Sequence, residues 1–431
     1  MGATPAAYAI DFGTTNSLIA AADAERTWEP IAIDSGSSDP TVLRSILFFP
    51  EDKTGVSCGS EALQSAAESG MRGRLIRSIK RFLPAATFTE TRIGARRYAL
   101  EELVAIVLRT LRERANRVLG ADVRAAVIGR PARFSDDPEA DALAAQRLLN
   151  AAKLAGFESV ALCEEPVAAA LDCADEVDRT ELVAVCDLGG GTSDFTVARL
   201  GSGKSDVLAV GGVALAGDAL DGALMRDHVS PYFGSRVSYR MPFGENVLNF
   251  PKPLLEKMCS PAELALLDRR DVLEFLRTVK SFALSEDDRD RMERLLCLVE
   301  DRLGFSLFEA IDKLKRELSN DADALFSFSY PSIDIEQRVT RSGFEASARA
   351  PIDRIVERFE ETLHAAKVTP SELDRVYLTG GTAQVPALIE AVRTRVGAGK
   401  LSHVRTFHAV IQGLAHRARE LVQRGELAPA S

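Results

Sequence analysis

At 431 residues, 46% hydrophobic and 27% charged, the chain predicts a soluble globular protein too long for one ordinary core, and so two or more domains. Lys plus Arg is 53 against 63 Asp plus Glu, a net charge of −10 that lacks the basic excess of a nucleic-acid binder. No window reaches about 18 uninterrupted apolar residues and no charged start leads into an apolar stretch, so neither membrane insertion nor export is expected. Six cysteines (Cys58, Cys163, Cys173, Cys186, Cys259, Cys297) are scattered without a Cys-x-x-Cys pair or clustered His. They read as buried reduced thiols rather than a zinc site, and predict a cytoplasmic home.

In chain order, the apolar run Tyr8-Ala9-Ile10 leads into Asp11-Phe12-Gly13-Thr14-Thr15-Asn16-Ser17 and on to Leu18-Ile19-Ala20-Ala21, the pattern of a strand, a tight turn and a returning strand. A strand is expected at 45–50 and helices at 60–68 and 72–82, the second stopping before Pro84. Residues 101–119 have helical spacing, with Val104, Val107, Leu108 and Leu111 on one face. A buried strand at 125–129, a helix at 136–155, a strand at 159–163 and a helix at 166–174 with Pro in its first turn complete a first lobe that ends near 178–180.

A second lobe opens with strands at 182–187, 195–200 and 206–213 and a helix at 218–228. Residues 234–304 lose the strand pattern; helices at 253–257, 261–285 and 288–303 read as an inserted helical subdomain. Strands return at 324–328 and 333–339, followed by a helical stretch at 342–367 interrupted at Pro351 and a strand at 375–379. A Gly380-Gly381 turn, a helix from Pro386 and a last helix at 409–424 close the chain.

The start of the second lobe, Asp187-Leu188-Gly189-Gly190-Gly191-Thr192-Ser193-Asp194, nearly copies the first turn. Glycine admits positive φ and close backbone approach, and successive backbone N–H groups in such a turn form an anion-binding concavity that fits phosphate. Carboxylates at the strand ends, Asp11 and Asp187, would repel phosphate unless a hydrated divalent cation sat between them, which implies Mg²⁺. One such run is also an ordinary hairpin connector; two sharing Asp, Gly, Thr and flanking strands point to a phosphate grip made twice.

Other features carry two readings. Gly380-Gly381-Thr382 between strand and helix is a common turn or a corner where a flat ligand lies by a helix N-terminus. Lys315, Arg316 and Ser319 are a solvated helix face or a contact surface. Lys80 belongs to a basic cluster that serves solubility or touches phosphate, and Glu165 before Pro166 suits N-terminal capping.

Together these residues resemble the actin-like ATPase superfamily, and most closely the nucleotide-binding domain of DnaK-type 70-kilodalton heat-shock chaperones, in particular the short YegD-like branch. Ile10 to Ser17, Asp187 to Asp194 and Glu164-Glu165-Pro166-Val167-Ala168-Ala169-Ala170 carry the resemblance. It implies an α/β fold of two duplicated ribonuclease H-like lobes around a nucleotide cleft. The first lobe spans 1–185 with a smaller subdomain at about 38–115. The second spans 186–403 with a helical subdomain at about 225–321, and residues 404–431 form a helix packing back on the first.

By the same resemblance Gly13, Thr14, Thr15 and Asn16 hold the β- and γ-phosphates of ATP or ADP, while Asp11 and Asp187 face Mg²⁺ through water. Lys80 takes the place of the catalytic lysine, Glu165 positions metal-bound water, and Asp194 and Thr192 act beside the nucleophilic water. Gly189, Gly190 and Gly191 form the second cradle. Gly217 also contacts nucleotide; Lys315, Arg316 and Ser319 fall on the purine helix, and Gly380, Gly381, Thr382 and Gln384 on the adenosine corner.

Departures qualify the transfer. Gln384 stands where the chaperones carry an Arg that stacks on adenine. Gly129-Arg130-Pro131-Ala132-Arg133-Phe134 replaces their valine-proline-alanine-tyrosine-phenylalanine run, and Phe407-His408-Ala409-Val410-Ile411-Gln412-Gly413 replaces their closing acidic motif. The sequence ends at Ser431, short of the acidic-leucine linker and peptide-holding β-sandwich, so the expectation is a slow ATPase that signals by lobe closure to an unidentified protein partner, co-chaperone or client. An actin-like filament subunit and a small-molecule kinase of the same superfamily are the alternatives.

Overall fold

The computed structural model describes residues 4–37, 39–51, 55–70, 72–174, 179–201, 204–241, 244–403 and 408–427; Phe407 and the side chain of Cys173 lie outside them. The chain divides into two compact units, one of Met1–Gly217, Arg354–Gln384 and Leu388–Ser431, the other of Asp218–Asp353 and Val385–Ala387.

The first unit holds two five-stranded sheets built to one plan. In the first sheet, Leu43–Arg44, Asn16–Ala22 and Ala7–Phe12 run antiparallel in turn, and Ala125–Arg130 and Ser159–Glu164 add to Ala7–Phe12 in parallel. The second sheet repeats that order and those directions with Lys204–Val213, Ser193–Gly201, Glu181–Leu188, Arg375–Thr379 and Leu401–His403. Each repeat begins on the glycine-bearing hairpin, so the sequence repeat is the visible part of a duplicated topology.

Helix Glu165–Ala174 and the C-terminal helix Ala409–Gln423 share one apolar core with both sheets, joining Ala7, Ala9 and Val127 to Val183, Val185 and Tyr377. The alanines at 168, 169 and 170 allow close approach: a Cβ on Gly413 would fall 1.7 Å from the Ala168 carbonyl oxygen. On the other face of the first sheet, Tyr8, Ile10, Phe12 and Ile19 pack with Leu103 and Leu108 of helix Leu100–Leu119 and Leu148 of helix Pro138–Leu154. The described cysteines 58, 163, 186 and 259 are buried and free; Cys297 is half-buried. No helix among the described residues is long and apolar enough to cross a membrane.

The second unit is mainly helical, with Arg270–Ser281, Glu286–Glu300 and Gly304–Asn320 and a hairpin of Asp323–Tyr330 and Ile333–Thr340. That hairpin alternates buried Phe326, Phe328, Ile333 and Ile335 with exposed neighbours, as a sheet with one wet face must.

Three expected elements differ. Instead of a helix at 72–82 there is a strand, Gly73–Ile76, paired to Leu47–Pro50, then a 3₁₀ turn, Ile79–Phe82. Sheet pairing claims Leu75 and Ile76, and Ser78, at φ 53° in the left-handed region, separates the two pieces. The stretch 261–285 is split, with a 3₁₀ turn at Leu264–Leu267 before Arg270–Ser281. Helix Arg341–Ala365 runs through Pro351 without interruption, forgoing one backbone donor.

Candidate functional site

The first hairpin turns at Gly13, Thr14 and Thr15 between paired Phe12 and Ser17. A Cβ on Gly13 would lie 2.1 Å from the Asn16 carbonyl oxygen, so no other residue closes this turn unchanged. Ser45 braces it from the neighbouring strand end: its hydroxyl donates to the Gly13 carbonyl at 2.8 Å and its N–H to the Thr15 carbonyl at 2.8 Å. The second hairpin turns over residues 189–192, where the Gly189 N–H donates to the Thr192 carbonyl. The Gly189 carbonyl accepts from the Thr382 hydroxyl at 2.6 Å and from the Gly217 N–H at 3.3 Å.

The two turns meet. A Cβ on Gly190 would lie 2.5 Å from the Thr15 hydroxyl oxygen, and one on Gly191 equally close to that of Thr14. Glycine in one hairpin is therefore what lets the threonines of the other approach, bringing both sets of backbone donors together. Gly380, at φ 87°, completes this group: its Cβ position is 2.3 Å from the Leu188 carbonyl oxygen and 3.1 Å from a carboxylate oxygen of Asp187. Gly381 and Gln384, in the turn Gly381–Gln384, are exposed, whereas Thr382 is buried.

Charge gathers beside the turns. Lys80 and Glu165 are both buried and paired at 2.5 Å. Burial pushes the Lys80 ammonium down, but Glu165 and Asp11 outweigh it and hold its pKa above the ordinary value. Burial, then Glu165, push the Asp11 carboxyl up to about 8, against the pull of Lys80. Burial, Glu165 and Asp194 push Asp187 up to about 8. Asp194 rises to about 7 through burial and Glu165, despite hydrogen bonds from Thr192 and the Ala132 N–H, the latter 2.8 Å from Oδ1. Its Oδ2 is buried and has no partner.

Four carboxylates, Glu165 and Asp194 buried and Asp11 and Asp187 half-buried, thus gather round one ammonium, and such a set is costly without more positive charge. The donor set is hard oxygen, the kind that suits a hydrated divalent cation such as Mg²⁺. No three His, Cys, Asp or Glu side chains among the described residues stand close enough together to ligate an ion directly.

The remaining expected residues lie in the second unit. Lys315 is largely buried and held by Asp221 at 2.8 Å and Asp312 at 3.0 Å. Arg316 is exposed and paired with Asp312, and the Ser319 hydroxyl donates to the Lys315 carbonyl within the helix. Burial pushes Asp221 up to about 6, with Lys315 opposing.

Sequence reasoning missed three supports of the site: Ser45, the Ala132 N–H and the carboxylate pair Asp221 and Asp312. Only Ala132 carried a signal, since it falls within the unusual 129–134 run.

Two sheets of one topology, each presenting a glycine hairpin to the other, define the class as an actin-like ATPase fold. A protein-family model described as Hsp70 protein matches residues 7–240 and 298–427, and the chain belongs to the Hsp70 family. That family binds ATP and ADP, hydrolyses ATP and has chaperone-type function. Residues 241–297, in the helical part of the second unit, fall between the matched stretches.

Proposed function

We propose that this protein is a slow, Mg²⁺-dependent ATPase that converts nucleotide state into closure of two lobes, 1–185 and 186–403, and so into binding of a protein partner in the cytoplasm. The observation that carries this reading is the meeting of the twin hairpins beside the buried Lys80–Glu165 pair. Backbone donors from Gly13, Thr14, Thr15 and Asn16 and from Gly189, Gly190 and Gly191 would grip the phosphates. Lys315, Arg316, Ser319, Gly217, Gly380, Gly381, Thr382 and Gln384 would serve the ribose and base.

Asp11 and Asp187 would hold Mg²⁺ through water, and the ion, when bound, supplies charge neutralisation at the phosphates. Lys80 stabilises negative charge developing on the γ-phosphoryl group and orients the attacking water. Glu165 keeps that ammonium in place. Asp194, held by Thr192 and the Ala132 N–H, leaves Oδ2 available to accept a proton from water.

A charge-assisted contact contributes about 1.5 to 3 kcal/mol, so loss of Lys80 should slow hydrolysis roughly tenfold or more. ATP turnover by the purified protein, with Lys80→Ala and Asp187→Asn alongside, tests the reading. Equal turnover in all three proteins would sink it.

A further inference from the structure

Two charged side chains of helix Pro138–Leu154 end on two segments beside the site, one that carries Lys80 and one, residues 130–134, whose Ala132 N–H donates to Asp194. Arg147 is buried, and its Nη1 donates to the carbonyls of Leu83 at 2.9 Å, Ala85 at 3.0 Å and Phe82 at 3.4 Å. Its Nε lies 3.6 Å from Glu101. Phe82 and Leu83 end the 3₁₀ turn that bears Lys80; the Phe82 carbonyl also accepts from the Ala85 N–H at 3.0 Å, and Arg147 is the donor that reaches Leu83. So short an element cannot fix its own orientation, and Arg147 clamps its C-terminal carbonyls from outside.

Six residues earlier on the same helix, Asp141 accepts from Arg130 Nη2 with both oxygens at 2.8 Å and from the Phe134 N–H at 2.7 Å. These bonds close residues 130–134 into a loop, and the Ala132 N–H within it donates to Asp194 Oδ1. The direction of that N–H decides which Asp194 oxygen remains unpartnered. Lys80 and Asp194 belong to segments far apart in sequence, yet both are set by one rigid helix.

Building on the ATPase reading, we infer that Arg147 and Asp141 are positioning residues for hydrolysis, with helix Pro138–Leu154 as the common frame that holds Lys80 and Asp194 in register. Neither residue needs to touch nucleotide. Arg147 serves the carbonyls through Nη1 while its Nε stays 3.6 Å from Glu101, two positions that the single ammonium of lysine cannot hold at once.

The test is single-turnover hydrolysis together with the ATP dissociation constant, for wild type, R147M, R147K, D141N and K80A. R147M should lower the rate about tenfold and D141N several-fold, with ATP affinity held within about twofold, because misplacement of catalytic groups costs rate rather than binding. R147K should recover part of the loss. If R147M does not fold, R147Q, which keeps a neutral amide donor group on a shorter stem, is read in its place. A folded R147M or R147Q that hydrolyses within about twofold of wild type, or a loss that appears in affinity and not in rate, overturns the inference. A wild type without turnover, or a K80A variant as fast as wild type, instead removes the ATPase reading and this inference with it.

Discussion

Asp187 and Asp194 are direct cross-strand partners in the second hairpin, where the first hairpin pairs Asp11 with Leu18. The duplication is therefore exact in topology and unequal in chemistry. Like charges opposed on a ladder destabilise it, and here burial adds to the cost. The second hairpin thus keeps a charge repulsion that the proposed Mg²⁺ would relieve.

That cost sets a pH dependence. Asp11 and Asp187 bind protons up to about pH 8 in the folded protein and Asp194 to about 7, against 3.8 for an ordinary aspartate. Between 3.8 and those values the folded state holds protons that the unfolded state has released, so stability falls as pH rises through this window. Thermal melts without nucleotide should move down from about pH 6 to about pH 8.5, and Asp187→Asn should flatten the slope. A melt that rises over this range in wild type contradicts the assignment.

The same protons must leave when a divalent cation enters. Binding of Mg²⁺ with ADP near pH 7 should release about one to two protons per site, read as a dependence of calorimetric heat on buffer ionisation enthalpy. Asp11→Asn should reduce the release. Heats that do not change between phosphate and Tris buffers would show that these carboxylates do not meet the ion.

Gly191→Ala tests the contact between the hairpins. Its new Cβ meets the Thr14 hydroxyl oxygen at 2.5 Å, so the turns must separate. ATP affinity should weaken about tenfold, while the melting point changes little, since overpacking at one turn costs about 1 to 3 kcal/mol in a chain of this size. Unchanged affinity would mean that the turns do not grip one ligand together.

Gly413→Ala tests the core behind the site. With its Cβ 1.7 Å from the Ala168 carbonyl oxygen, the C-terminal helix must move away from the helix led by Glu165. Denaturant unfolding should show a loss of about 2 kcal/mol or more, accompanied by slower ATP hydrolysis because Glu165 shifts with its helix. A variant as stable as wild type would refute this packing.

Much of this was legible in the sequence because hairpins are local. The runs around Asp11 and Asp187 carry strand, turn and charge within a few residues, and the observed strands extend the expected ones by a residue or two. What sequence periodicity missed depends on partners far along the chain. Gly73–Ile76 is a strand because Leu47–Pro50 accepts it, and nothing in its own spacing says so. Lys80 stood out only through the family resemblance, since its basic neighbours read equally as surface solubility, and its burial against Glu165 is a tertiary fact. Pro351 reads as a break, yet its helix continues, since one lost donor is a small term beside the packing of Phe344, Ile352, Ile355 and Phe359.

The central claim is that Lys80, held by Glu165 beside the twin hairpins, drives hydrolysis of bound ATP. Phosphate release in a single turnover, measured for wild type and Lys80→Ala at saturating ATP and Mg²⁺, tests it most directly. The account predicts that both proteins bind ATP and that the variant releases phosphate at least about tenfold more slowly. Equal rates in the two proteins, with ATP bound to both, would contradict it.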